Sequence, residues 1–214
     1  MIEALSLERV QAPPQPNSRA PLSGPQSHPG KLPAPGQWTY EDWRRLPDDG
    51  FQYEVLNGEL YMVPPPTVEH QRISFRLALK MGTFVLAHQL GEVLEAPCGV
   101  QLPGQPVPVQ PDIFFIRAER LHILGREYVE GAPDLVIEVL SPSNWLYDRR
   151  EKFLAYQEAG VAEYWIVDPR LGTIEVFVLE KGMFTLVSKS SGEDVARSQV
   201  LEGFEVIAKE ILVE

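Results

Sequence analysis

The chain has 214 residues, 44% of them hydrophobic, and a single cysteine, so it can fill one sizeable core but forms no internal disulfide and offers no cysteine-based metal spacing. The formal net charge of −11 excludes the overall cationic footprint of many nucleic-acid binders and leaves only local basic stretches for phosphate contacts. No run reaches membrane-spanning length and the first ten residues lack a basic segment followed by an apolar one, so a soluble cytoplasmic protein is expected.

From Gln11 to Gly36 the chain is rich in Pro, Gly, Ser and Gln and poor in large apolar residues. Such a segment cannot bury enough surface to offset the entropy of ordering. Residues 1–37 are therefore expected to form a disordered tail, and residues 38–214 one folded domain. Thr39-Tyr-Glu-Asp42 reads as a capped helical start. Phe51 to Leu56 and Glu59 to Val63 flank Asn57-Gly58, the strongest hairpin signal in the chain, because Asn-Gly supplies the positive φ angles of a type I′ turn. From Thr67 to about Gln89, apolar residues including Ile73, Leu77 and Met81 recur near every 3.6 positions and predict a long amphipathic helix.

Short apolar runs punctuated by Gly and Pro follow, and Glu92–Ala96, Gly99–Leu102, Val109–Ile116 and Asp134–Leu140 read as strands. Asn144–Ala159 reads as a helix closed by Gly160, and Glu163–Val167 as a strand. Strand, helix, strand in that order predicts a parallel pair inside an otherwise antiparallel sheet. A second hairpin, Thr173–Leu179 with Met183–Val187, and a last strand near Phe204–Ile207 complete an α/β architecture with a mixed central β-sheet and few helices.

Two carboxylates stand out. Asp134-Leu-Val-Ile-Glu138-Val-Leu140 is apolar on both faces, as a strand covered on each side must be. A carboxylate inside it needs a metal or a fixed Lys or Arg partner. Asp112 opens the apolar run Ile113–Ile116, where alone it would read as an ordinary strand-edge residue. Together the two make a hard oxygen site suited to Mg²⁺, with Mn²⁺ able to substitute. Asp148, Lys152 and Tyr156 are four residues apart on the helix that follows, so they share a face. The plain alternative is an Asp148–Lys152 surface ion pair. Two basic runs, Arg149/Arg150/Lys152 and Arg72/Arg76/Lys80, offer local positive charge, the second reading more simply as a solvated helix face.

These blocks resemble the PD-(D/E)XK nuclease superfamily, and within it the Uma-type branch of bacterial restriction-endonuclease-like proteins. The resemblance rests on Tyr53-Glu-Val-Leu-Asn-Gly-Glu-Leu60, His70, Gln110-Pro-Asp112, Pro133 to Ser143, the Asp148/Lys152/Tyr156 face, and Gly160 to Pro169. It runs from about Trp38 to the C-terminus. It implies a restriction-endonuclease-like fold and metal-dependent hydrolysis of DNA, with Pro111-Asp112 and Glu138 supplying the metal-binding carboxylates. The lysine expected two residues after Glu138 is replaced by Leu140. The resemblance therefore points to Lys152 as the catalytic lysine, with Arg149 and Arg150 as the other cations at hand. Glu54 and His70 are further candidates, each with a plainer reading as a hairpin surface residue and a packing residue at the helix start. A catalytically weak module that keeps the fold and only binds is the competing reading, favoured by the acidic charge and by Leu140. Nucleases of this fold commonly form homodimers, and the apolar hairpin Thr173–Val187 could serve.

Overall fold

Asn57 (φ 52°) and Gly58 (φ 74°) both adopt positive φ, which lets the chain reverse in two residues and pair β1 (Gln52–Leu56) with β2 (Glu59–Val63). In the computed structural model, which describes residues 32–49, 51–141 and 148–212, this hairpin is a two-stranded sheet of its own. Before it, the short helix α1 (Tyr40–Arg44) starts on a capping box in which Thr39 and Asp42 bond each other's backbone N–H. The expectation of a tail over residues 1–37 lies, up to residue 31, outside the described residues.

Helix α2 (Val68–His88) is capped by the Thr67 side chain and ends where Gln89 turns left-handed. Its Ile73, Leu77, Met81 and Val85 face the core. The central sheet has six strands in the order β3 (Gly91–Glu95), β4 (Ile113–Arg117), β5 (Leu135–Val139), β6 (Glu163–Asp168), β7 (Thr173–Glu180) and β8 (Met183–Ser191). All neighbours are antiparallel except β5 and β6, which run parallel. The predicted parallel pair is thus present, and a 3₁₀ turn at Ala118–Ile123 follows β4.

Alternation along the strands divides the core in two. On β5, Leu135, Ile137 and Val139 pack with α2, whereas Val136 and Leu140 face the opposite layer with Tyr156, Tyr164 and Leu56 of the first hairpin. That second layer includes a π-helical turn, Asp148–Lys152, continuing into α3 (Phe153–Ala159), which closes on left-handed Gly160 (φ 82°). Over its described part the predicted helix is a wider turn that becomes α-helical at Phe153; its part over Asn144–Tyr147 lies outside the described residues. A small sheet of β9 (Val195–Arg197) and β10 (Glu205–Ile207), then the short α4 (Ala208–Ile211), completes the first layer.

Two strand expectations are corrected. Gly99–Leu102 and the first part of Val109–Ile116 are not ladder strands; Val100 makes isolated bridges to Val109 and Val129, and β4 starts only at Ile113. Pro97, Pro103, Pro106, Pro108 and Pro111 remove the N–H donors a continuous ladder would need. Among the described residues no helix is long and apolar enough to cross a membrane.

Candidate active site

Asp112 precedes β4 by one residue. Because Ile113 pairs with Ile137, continuing that antiparallel register one step sets Asp112 opposite Glu138, with both side chains toward the same side of the sheet. The Val139 N–H donates to Asp112 Oδ2 at 2.8 Å, and His70 Nε2, from the first turn of α2, lies 3.1 Å from the same oxygen. Burial alone would raise the Asp112 pKa, but the His70 hydrogen bond and charge, the Lys152 ammonium and the Val139 N–H together outweigh it, so the carboxyl is held below its ordinary value. The protein thus keeps a half-buried anion ionised at the mouth of the sheet.

Glu138 is 1% exposed. Its Oε1 accepts from Lys152 Nζ at 3.1 Å and from the Tyr156 hydroxyl at 2.6 Å. Lys152, itself buried, also lies 3.7 Å from Glu54 Oε2 on β1. Burial first, then the Glu138 charge, pushes the Tyr156 phenol well above its usual range, so it stays a hydrogen-bond donor at neutral pH. Lys152 and Tyr156 reach the same oxygen because they are one turn apart on the segment that packs over β5. Glu54, His70, Asp112, Glu138 and Lys152 all line one polar cleft of about 150 Å³, with Val139 and Ser141. Beside it opens a second depression lined by Trp43, Phe51 and Tyr53, which shares Gln52, Glu54, Pro97 and Gln110 with the first.

The five residues singled out in the sequence are therefore brought together, whereas the two basic runs do not form strips. Arg149 bonds Glu175 at 2.7 Å and lies 3.6 Å from Asp168, and Arg150 lies against Glu151. Arg76 donates to the Ile211 carbonyl and Lys80 pairs with Glu210. Of the three cations following β5, Lys152 is the one at Glu138. Leu140 is packed in the apolar layer, too deep to present any charge to the cleft. The Asp148 side chain lies outside the described residues, so the Asp148–Lys152 surface pair does too.

Tyr156, which its spacing places only on the helix face of Lys152, adds a hydrogen bond to Glu138 that the sequence alone does not indicate. The available signal was its position four residues after Lys152. Tyr156→Phe should remove one donor from a buried carboxylate and lower stability by about 1–3 kcal/mol, measured by urea unfolding; an unchanged midpoint would mean that the hydroxyl carries no weight.

A family model described as "Uma2: Putative restriction endonuclease" matches residues 40–210. The chain belongs to the Uma2 family. Among solved structures, a protein from Anabaena variabilis described as "a putative nuclease belonging to DUF820" is similar with a TM-score of 0.67 and 18% identity, over 81% of this chain and 97% of that one. At that identity the likeness establishes the fold, a mixed α/β nuclease fold. No curated protein matches the chain.

Proposed function

We propose that this Uma2 protein is a metal-dependent endonuclease that hydrolyses phosphodiester bonds of DNA at the cleft between Asp112 and Glu138. The observation that carries the reading is the convergence of two strand-end carboxylates with one buried ammonium, Lys152 Nζ standing 3.1 Å from Glu138, in a chain of a restriction-endonuclease family.

The donor set suits a hard dication. Among the described residues no group of three or more His, Cys, Asp or Glu forms a metal cage, which does not fit a closed zinc-type centre. Two carboxylates do fit Mg²⁺ or Mn²⁺, which take one or two protein oxygens and fill the remaining positions with water and phosphate oxygens. Asp112 and Glu138 would hold the ion. When bound it would offset charge on the phosphoryl oxygens and favour ionisation of water.

The chain's own groups have distinct tasks in this reading. Water attacks phosphorus, a P–O bond forms, one ester P–O bond breaks, and the leaving oxygen takes up a proton. Lys152 stands beside Glu138 to orient the attacking water and balance the growing negative charge. His70 and the Val139 N–H keep Asp112 ionised and aimed. Tyr156 fixes the Glu138 rotamer. Trp43, Phe51 and Tyr53 line the depression beside the cleft, where aromatic side chains can stack on a base next to the scissile phosphate.

The direct test is incubation of plasmid and oligonucleotide DNA with Mg²⁺ or Mn²⁺. Wild type should cleave, and Asp112→Ala and Glu138→Ala should each lose at least about a hundredfold. Cleavage that survives both substitutions would remove these residues from the site. No cleavage of any substrate would favour a binding or interaction module that keeps the fold, the reading to which the −11 charge lends weight.

A further inference from the structure

The solvent side of α2 carries four large apolar residues, each more than half exposed: Val68 (77%), Phe75 (63%), Leu79 (56%) and Leu86 (75%). Scattered single exposures of this kind are ordinary, but these four are aligned. At 100° per residue they fall within an arc of about 40°, opposite the Ile73/Leu77/Met81/Val85 face that enters the core. The strip extends for about 27 Å along the helix.

Its spacing is symmetric. Val68 and Leu86 are equidistant from position 77, and so are Phe75 and Leu79. The two remaining positions of the strip, Arg72 and Gly82, obey the same rule. A two-fold axis at that point therefore sets apolar side chains against apolar ones and the charged residue of the strip, Arg72, against Gly82, the self-complementarity an isologous contact needs.

We infer that this face of α2 is a homodimer interface, in which two copies of the helix pack antiparallel about a two-fold axis at the level of Leu77. Phe75 then meets Leu79 of the second copy, Val68 meets its Leu86, and Arg72 crosses its Gly82. A side-chain carbon added at Gly82 would meet nothing within 4 Å, so the backbone is open there for the aliphatic stem of Arg72, whose guanidinium can reach water. The strip is otherwise uncharged. Arg76 and Lys80, on one rim, are turned toward the chain's own C-terminal segment by their bonds to Ile211 and Glu210, and Gln71 and Ala78 form the other rim.

The area fits a reversible dimer. Four side chains of this size and exposure present an apolar patch of about 400 Å² per copy, the size of the largest patch on a typical monomer, which is often functional. The two patches together cover about 800 Å², to which the polar rim adds, and this places the pair among the small, weak interfaces below about 1,200 Å². The β7–β8 hairpin is a poorer choice. Its exposed Leu186 and Val187 are consecutive beside the bulge at Val176/Phe177, so they do not form one continuous strip.

The inference does not depend on catalysis, and its test reads mass. Light scattering of the full chain from about 1 to 100 µM should show a shift from 24.1 kDa toward about twice that value. Phe75→Glu and Leu79→Lys should each hold the chain at 24.1 kDa with unchanged far-UV circular dichroism, because both side chains point to solvent in the single copy. Mixing the two variants should restore a dimer, since the antiparallel register brings Glu at 75 against Lys at 79 of the second copy. A wild type that stays monomeric at 100 µM, variants that remain dimeric, or a mixture that fails to pair would each overturn the inference.

Discussion

Glu138→Ala is expected to abolish cleavage and to destabilise the fold by about 3–5 kcal/mol, the usual cost of breaking a buried ion pair by removing one partner. Lys152 would be left buried beside Tyr156, with Glu54 at 3.7 Å and Asp112, which its charge also reaches, as more distant carboxylates. The double variant Glu138→Leu/Lys152→Met separates the two effects. Replacing a buried pair by apolar side chains of similar volume is often neutral or stabilising by about 1–4 kcal/mol, so this variant should regain part of the stability lost in Glu138→Ala, less the cost of the Tyr156 hydroxyl that loses its Glu138 acceptor, while staying inactive. Urea midpoints paired with cleavage rates read both quantities. A double variant as unstable as Glu138→Ala would show that the pair holds the fold together; one that still cleaves would sink the proposed site.

The second large effect lies away from the cleft. Glu163 is fully buried at the start of β6, and its carboxylate accepts from Trp165 Nε1 at 2.5 Å, Gln199 N at 2.6 Å and Val200 N at 2.8 Å. It therefore pins the turn before Leu201 and Phe204 against the sheet. Glu163→Ala strands three donors at about 1–3 kcal/mol each, so a loss of at least about 3 kcal/mol is expected, with Glu163→Gln intermediate because its single carbonyl still accepts. Equal midpoints for wild type and Glu163→Ala in urea would refute this assignment. Cleavage by the variant, once folded, should be unchanged.

The parts of the fold legible in the sequence were those set by local chemistry. Asn57-Gly58 fixed a hairpin, Thr67 and the 3.6-residue period fixed α2, and the apolar stretches around a helix announced the parallel β5–β6 pair. The region from Pro97 to Pro111 was not legible, because Val100 and Val109 pair through isolated bridges that only the tertiary arrangement dictates. β9 was missed altogether, being three residues long. In the site, Glu138 was visible because a charge inside a doubly apolar strand is anomalous, and Asp112 because it opens such a strand. Their partners were not visible from composition alone. Whether Arg149, Arg150 or Lys152 turned inward depended on the phase of the π-helical turn, and Arg149 was diverted by Glu175, whose own carboxyl is held below its ordinary value against burial by Lys189 and Arg149. The apparent basic strip thus dissolved into separate ion pairs.

The parallel β5–β6 crossover has a consequence for how such a site can change over generations. Glu138 comes from its first strand, and Lys152 and Tyr156 from the helix that returns the chain to its second. The anion and its two donors are therefore encoded by one contiguous stretch of gene, and a recombination event that exchanges that stretch transfers them as a unit with their spacing intact. Asp112 and His70 lie outside that stretch. Exchange of that stretch leaves the Asp112–His70 half of the cleft in place.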